Sequence, residues 1–556
     1  MRRYDEYESV EELFEAYNIK PLSSYITEEK TIEKVKKEYN DNKKNNSDEA
    51  EKVVNTDKLE VNYANIKPDK FNNIFKHIIV FTNDRDSKNN KTLKNIEDAI
   101  KRLKKDKAEV IPELHVFVAA KIHADDDVKK IYISDGTEEM TIKEESNLDT
   151  LVFARLGVQD EEEAEYAVQL LQDRGFLVLN PIKYSALACN KYDSAVLFSK
   201  GNIPQPNFTL MTKEILYNEE LYNNAMREVY PKWNDKDSDK NEEFTFVMKI
   251  LDGHGGTGVA MCDGKKILAF LQMIFAIDPE RQLILQKKEE ADGGDIRVHV
   301  LTLRDKQIIL AAMKRVKLGG DFRSNVSLGA TAEPVKLTSE QEQIALRTAQ
   351  LSKLPWCAVD IMPLVKGSNK EIGDNVVLEI NASPGTDGIS EVIGENFINV
   401  LLNNLTDPSL FYLQDKVAGF IEAVKVKFND NIEKEFLAKL DTGNSTKASC
   451  LEVGELKESG KNITFNIEGK EITLEVIDHS NALAGDETYK RPIVIIPEVT
   501  CGLRKVKNVP VALVKSREKK TTNMLLNRDT MSKLGYVVNP NNAHILTDEI
   551  EKVKII

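Results

Sequence analysis

The chain has 556 residues, 41% hydrophobic and 30% charged, a balance that suits about three to four globular domains in water. Its formal net charge of -14 argues against general nucleic-acid binding, which needs clustered Lys and Arg, and no apolar run approaches the roughly 20 residues that span a bilayer. Five scattered cysteines (Cys189, Cys262, Cys357, Cys450, Cys501) form no CxxC pair, so neither a disulfide scaffold nor a cysteine zinc cluster is expected, and a reducing, cytoplasmic compartment is the simplest reading.

Residues 1–70 are charge-rich and poor in apolar runs. The opening MRRYDEYESVEELFEAY is acidic and lacks the apolar stretch of a secretory signal. KKEYNDNKKNNSDEAEK (36–52) cannot bury enough apolar surface to offset its ordering entropy, so a flexible or partly helical arm is expected. Ordered structure is expected from FKHIIVFTND (75–84), where HIIVF reads as a buried strand, and TLKNIEDAIKRLKK (92–105) has apolar residues at helical spacing. ELHVFVAAKI, TLVFARLG, a helix at EEEAEYAVQLLQDRG and then FLVLN follow; strands alternating with helices mark an open α/β sheet. Residues 196–290 hold two strands around FVMKILDGHGGTGVAMC, preceded by a polar insertion, NDKDSDKNEE (234–243), that is expected to loop out. Residues 291–405 carry strands at IRVHVLTL, QIILAAMKRV, CAVDIMPLV and NVVLEINAS. From near 416 the segments GFIEAVKVKF, FLAKLDTGNS, ITFNIEGKEITLEVI and RPIVIIPEV are short strands with turn residues between them, which predicts a separate all-β domain.

The loop LDGHGGTGV (251–259) places Gly253, Gly255, Gly256 and Gly258 between two strands. Glycines let backbone N–H groups approach phosphate oxygens closely and adopt positive φ. The loop is not a Walker A sequence, because no Lys-Ser/Thr follows, nor a dinucleotide fingerprint, because a strand rather than a helix follows. Read alone it is equally a hairpin turn. Asp360, however, sits in the apolar strand WCAVDIM, and Glu379 and Asn381 sit two apart in VVLEINASPG, on one face of a strand. An acid in an apolar strand is costly to bury without a partner. Two carboxylates and an amide oxygen suit two Mg²⁺ (or Mn²⁺) ions that bridge nucleotide phosphates.

The ordered set VMKILDGHGGTGV, GGDIRVHVL, MKRV…GGDFRSN, CAVDIM and VLEINASPGTDGI resembles the ATP-grasp ligases, specifically the RimK-like branch, which adds amino acids such as glutamate to a peptide or protein. The resemblance covers about residues 75–405. It implies that Lys191 and Lys249 line the nucleotide phosphates with the glycines Gly255, Gly256 and Gly258, and that Gln286 and Lys287 stand at the adenine hinge. It implies a nucleotide contact for Asp295, and arginines around the reacting phosphate and carboxylate at Arg297, Arg315 and Arg323. Ser324 and Asn325 complete the triplet at the nucleotide, and Asp360, Glu379 and Asn381 are the metal ligands. The implied chemistry is ATP-dependent: a carboxylate takes the γ-phosphoryl group, and an amine then attacks the acyl phosphate to form an amide. Arg297 and Arg315 are expected to be catalytic.

LAKLDTGNSTKAS (437–449) puts Asp441 at the end of an apolar strand, followed by Thr442 and Gly443. Asp-Thr-Gly after such a strand is the active-site turn of aspartic peptidases, whose chemistry needs two carboxylates sharing a proton. One copy in this region implies pairing of two chains. NMLLNRDTMSKLG (523–535) occupies the place of the second expected element, an apolar pair followed by Gly, with Asn527 where Gly is usual. Region 416–556 resembles the retropepsin-like domain of the RimB group, often labelled ATP-dependent zinc proteases; no zinc site is visible there, since His479 and His544 are isolated and HExxH is absent.

The expected architecture is an α/β ATP-grasp enzyme with a C-terminal all-β retropepsin-like barrel: an arm (1–70), a leading α/β domain (71–200), a pair of ATP-grasp subdomains (201–410) and the barrel (416–556). The expected activity is ligation of glutamate or another amino acid to a peptide or protein acceptor, with Asp441 catalysing trimming of the tag. A small-molecule ligase and a nucleotide-gated, peptide-binding assembly protein are the alternatives. A homo-oligomer, dimeric through the barrel, is expected, with no membrane or nucleic-acid partner.

Overall fold

The apolar run that starts at His77 becomes the strand His77–Thr82, whose last five residues are buried. It lies inside a four-stranded parallel sheet, in the order Glu113–Phe117, His77–Thr82, Thr150–Arg155, Leu177–Leu179. Parallel sheets are covered on both faces, which is why these strands read as continuous apolar runs. The helix Lys91–Lys105 covers one face with Leu93, Ile96, Ala99, Ile100 and Leu103. Asn90 caps it by accepting the Leu93 N–H at 3.0 Å, and Arg102, Lys104 and Lys105 sit in its last turn, where cations suit the helix dipole. Each large apolar side chain buried this way contributes about 1.5–3 kcal/mol.

The computed structural model of the chain describes residues 59–553 except 119, 157–161, 254–257, 305, 317–330, 367–372, 408–415, 485–486 and 516–520. The arm up to residue 58, and Gly255, Gly256, Arg323, Ser324 and Asn325, lie outside the described residues. Residues 59–70, assigned to the arm from the sequence, lie within the unit Leu59–Ile556. The Leu59 N–H donates to Gln343 Oε1 at 2.9 Å, and Asn62–Tyr63 pairs in parallel with Gln307–Val316. Leu59 and Val61 pack against the core beneath that sheet, and a two-residue strand is too short for periodicity to reveal. ELHVFVAAKI is likewise two strands: Lys121–Asp125 leaves the parallel sheet and starts an antiparallel meander with Lys130–Ser134 and Glu139–Lys143.

Two further sheets follow. The smaller is antiparallel, in the order Val259–Asp263, Thr245–Ile250, Leu283–Lys287, Phe208–Met211. The larger runs Asn62–Tyr63, Gln307–Val316, Asp295–Thr302, Trp356–Pro363, Asn375–Asn381, with Thr331–Pro334 also on Gln307–Val316. The helix Ser339–Ser352, closed by a Thr338–Gln341 capping box, buries Ile344, Ala345 and Ala349 in the core it shares with the larger sheet. Asn180, just after the leading sheet's last strand, accepts the Trp356 N–H at 3.1 Å and donates to Trp356 O at 2.6 Å, tying the two bodies together.

Among its described residues the C-terminal region is all-β apart from one short helix, Arg528–Leu534. Six of its strands close into a barrel, in the order Ile421–Asn429, Ile432–Leu440, Met524–Leu526, Ser449–Val453, Arg504–Lys515, Glu487–Cys501 and back to the first. The barrel docks on the leading domain: Asn147 Nδ2 donates to Leu503 O at 3.2 Å, Lys505 Nζ to Glu145 O at 2.9 Å, and Lys507 stands 3.7 Å from Asp149. Among the described residues no helix is long and apolar enough to cross a membrane.

Candidate active site

A cavity of about 1080 Å³ is lined by both ATP-binding sheets expected from the sequence and by the C-terminal ends of the leading sheet. Antiparallel register builds its charged wall. Asp295 stands opposite Arg315, Arg297 opposite Asp360, and Asp360 opposite Glu379, so a row of charge crosses four neighbouring strands. Residues directly opposite share a face, and Asn381, two beyond Glu379, returns to it.

These groups form a buried network. Arg297 grips Asp360 with Nε to Oδ1 at 2.7 Å and Nη2 to Oδ2 at 2.6 Å, and its Nη2 stands 4.0 Å from Glu379 Oε1. Arg315 donates Nε to Asp295 Oδ1 at 2.9 Å, Nη2 to Asp295 Oδ2, and Nη2 to Asp360 Oδ2 at 2.7 Å. Burial pushes the Asp360 carboxyl up, but the Arg297 and Arg315 guanidiniums outweigh it and hold the group well below the usual carboxylate range. Burial pushes Asp295 up against the pull of Arg315, and the Asp360 charge adds to the rise. The fork of Arg315, only 5% exposed, is filled by Asp295 and Asp360, and the side chain also lines the cavity. Arg297, 14% exposed, keeps a face on the cavity. Gly294 is needed beside this pair: its φ is +131°, and a Cβ there would strike the Arg315 carbonyl.

Opposite this wall stand two lysines. Lys249 comes from Thr245–Ile250, and Lys191 opens the helix Lys191–Lys200, whose Asn190 cap accepts the Tyr192 and Asp193 N–H groups. Lys191 Nζ donates to Gly253 O, and its backbone N–H to Leu251 O at 3.0 Å, joining the helix to the glycine hairpin. Burial lowers both ammonium pKa values from the ordinary range; Glu379 opposes this in each case, and the Lys191 charge adds to the fall at Lys249. A polyanion placed between them would raise both values again. Gly258 closes the hairpin at φ +70°, where a Cβ would collide with the Ile250 side chain. Gln286 is buried on Leu283–Lys287, and Lys287 lines the cavity with its ammonium 3.0 Å from Glu289 Oε1.

The residues present suit a hard divalent ion. Glu379, with 37% of its side chain exposed, faces the cavity, and the Asn381 amide reaches Asp360 Oδ2 at 3.3 Å and Glu379 Oε1 at 3.5 Å. An amide presents nitrogen or oxygen at the same point, so three oxygen donors converge there.

Arg155 was not singled out from the sequence. It ends the strand Thr150–Arg155, lines the cavity, and donates to Pro384 O at 3.1 Å and Thr92 Oγ1 at 3.3 Å. Burial lowers its guanidinium pKa to about 10. The signal was available, since an arginine closing the apolar run TLVFA is placed where a parallel strand meets a site.

Asp441 does not line this cavity. It follows Ile432–Leu440, which lies parallel to Met524–Leu526, and its N–H donates to Leu526 O at 3.0 Å. Its Oδ1 accepts the Gly443 N–H at 3.2 Å. Asn527 is buried and caps the helix Arg528–Leu534: Oδ1 accepts from Thr530 N–H at 3.0 Å and from Ser449 Oγ at 3.1 Å, while Nδ2 donates to Thr446 O at 2.8 Å. The asparagine thus braces the segment just after the Asp-Thr-Gly turn, at Thr446 and Ser449, in a way a glycine has no atoms to do.

Residues 188–405 match the RimK-like ATP-grasp domain family. A "Probable alpha-L-glutamate ligase" of Vibrio atlanticus (strain LGP32) is 35% identical over 155 residues, covering 28% of this chain and 48% of that protein. "Probable alpha-L-glutamate ligase 2" of Shewanella amazonensis (strain ATCC BAA-1098 / SB2B) is 35% identical over 173 residues, 31% of this chain and 51% of that protein. The chain spans about half the length of the curated relatives it matches. Among solved structures, the ATP-grasp ligase PsnB complexed with minimal precursor aligns at 16% identity and a TM-score of 0.40, covering 59% of this chain and 99% of that one.

Proposed function

We propose that the chain is an ATP-dependent carboxylate–amine ligase that adds glutamate, or another amino acid, to a peptide or protein. One observation carries this reading: Lys191, Lys249, Arg297 and the Asp360–Glu379–Asn381 set meet in a single cavity within the RimK-like domain. Phosphoryl transfer depends chiefly on positioning and charge neutralisation, which is what opposed lysines and carboxylates supply. Asp360, Glu379 and Asn381 would hold Mg²⁺, two ions in the fullest arrangement, which neutralises phosphate charge. A substrate carboxylate oxygen bonds to the γ-phosphorus of ATP while the bond to the ADP oxygen breaks. The amine nitrogen then bonds to the acyl carbon, the acyl carbon–oxygen bond breaks, and inorganic phosphate leaves as the amine loses its proton. Arg297 meets the acyl phosphate and the oxyanion, a contact whose loss typically costs 100-fold or more in rate. Arg315, which lines the same cavity, is the second arginine at the reacting phosphate and also holds Asp360 in place. Gln286 and Lys287 border the adenine, and Gly255, Gly256, Gly258, Asp295, Arg323, Ser324 and Asn325 complete the nucleotide site.

For the barrel we propose a retropepsin-like peptidase that trims the tag in a homodimer, each copy giving one Asp441. The parallel pairing that brings Asp441 beside Leu526 supports it. Among the described residues the cysteines form no disulfide, which supports a reducing compartment, the cytoplasm.

The test is Mg-ATP turnover with glutamate and short peptides, read by mass spectrometry. A peptide ladder in glutamate steps is expected. Phosphate release with products only on free amino acids would move the reading to a small-molecule ligase, and tight ATP binding without turnover would end the ligase reading. Asp441→Asn should abolish trimming of the ladder and leave its synthesis intact; unchanged trimming would refute the peptidase assignment.

A further inference from the structure

The N-terminal end of the leading sheet gathers a second set of donor atoms. His77 and Glu113 open adjacent parallel strands in register, and His115, two residues on, shares the face of Glu113. One ligand atom from each of the three lies within 4.8 Å of the other two. Glu113 Oε2 is 3.7 Å from His77 Nδ1 and 3.8 Å from His115 Nε2. Both imidazole nitrogens are shielded from water and without a hydrogen-bond partner. A buried ring nitrogen left unpaired is costly, and two of them facing one carboxylate need an explanation.

A divalent transition ion supplies it. Tetrahedral Zn²⁺ with bonds of about 2.0–2.1 Å sets its ligand atoms about 3.3 Å apart. Spacings of 3.7 and 3.8 Å contract to that by a small turn of Glu113, whose side chain is 67% exposed and free to swing. The far nitrogen of His115 is already committed: Nδ1 lies 3.1 Å from Glu138 Oε1, and Glu138 Oε2 accepts the Val116 N–H at 3.2 Å. A carboxylate on the outer nitrogen fixes the ring and leaves Nε2 as the donor, the pattern found behind metal-bound histidines. The neighbouring Lys76 is already engaged, its Nζ 2.9 Å from Asp149 Oδ2.

We propose that His77, Glu113 and His115 bind one Zn²⁺ or a similar borderline divalent ion, with water completing its coordination and Glu138 acting as a positioning residue. Imidazole donors select this class over Mg²⁺. The ion does not take part in the nucleotide chemistry. His77 begins a six-residue strand whose other end, Thr82, lines the cavity, a span of roughly 17 Å. It clamps the edge strand Glu113–Phe117 to its neighbour, next to the surface where Asp149 meets the barrel's Lys507.

The full chain, stripped with a chelator, is titrated with Co²⁺ in excess Mg²⁺, which occupies the oxygen-donor site in the cavity. Visible d–d absorption saturating at one equivalent per chain, and lost on adding Zn²⁺, is expected. Glu113→Gln and His115→Asn should abolish it, and Glu138→Gln should weaken binding about 10- to 100-fold. Absence of the absorption in the unaltered chain, or its survival at full affinity in Glu113→Gln, would overturn the site. Glu113 is exposed, so that variant stays informative if His115→Asn fails to fold; melting curves in metal-free buffer check each variant.

Discussion

Replacing Arg315 with methionine tests the charged wall most directly. The guanidinium stands between Asp295 and Asp360, whose side chains are 3% and 1% exposed. Methionine fills much of the same volume but leaves two buried acids to share Arg297. Removing one partner of a buried ion pair costs about 3–5 kcal/mol, because the charge left behind has neither water nor a counter-ion. The cost should depend on pH with a defined sign. Burial already pushes Asp295 up, and without Arg315 nothing adjacent pulls it down as strongly. The folded variant then takes up a proton that the unfolded chain does not bind, so acidification favours the folded state. The stability lost at pH 8 is therefore regained as pH falls toward the unfolded carboxylate range, at up to about 1.36 kcal/mol per pH unit. The chain has two tryptophans, and Trp356 lies in the core of the larger sheet. Urea unfolding followed by fluorescence in a Trp233→Phe background therefore reports that sheet. The double variant Arg315→Met/Asp295→Asn removes both halves of one pair and should be more stable at pH 8 than Arg315→Met alone. A loss under about 1 kcal/mol, a loss that ignores pH, or no recovery in the double variant would refute the reasoning.

His299 is fully buried against Trp356 and Phe397, and burial, helped by the Arg297 charge, lowers its pKa to about 3. Unfolding returns it to its ordinary value, so the unfolded chain gains a proton as pH falls below about 6.5, and His299 should remove about 2 kcal/mol of stability by pH 5. Urea titrations at pH 7 and pH 5 should show this slope reduced in His299→Phe; an unchanged slope would count against it. Asn527→Ala removes a helix cap and strands the Thr446 carbonyl, which together should cost the barrel about 2–4 kcal/mol. Hydrogen exchange in 437–453 and 523–535 should speed up accordingly, and unchanged exchange would show that the turn is held by other contacts.

What could be read from the residues divides along a physical line. WCAVDIM announced both a buried strand and an acid needing a partner, because both signals are local. The partners were another matter. That Arg315 faces Asp295 while Arg297 faces Asp360 is a consequence of strand register, which depends on contacts far apart in the chain. The pairing of His77 with Glu113 needs the same knowledge across a parallel crossover, and no motif spacing carries it. The meander is different: EMTIK alternates cleanly between exposed and buried positions, so its strand is legible in the sequence even among charged neighbours. Asn527 read as a departure from a glycine pattern, whereas its amide and carbonyl are both in use.

The way the barrel is attached bears on traffic between the two halves. It grips the leading domain at Glu145, Asn147 and Asp149, just before Thr150–Arg155 begins, while Arg155 at the other end of that strand lines the cavity. No described barrel residue contributes to the cavity wall. On the proposed ligase and peptidase reading, a product would have to leave the cavity before meeting the barrel, so covalent linkage would give the halves equal numbers and a shared address, not a private corridor, and a labelled product should be diluted by added unlabelled product before it is trimmed.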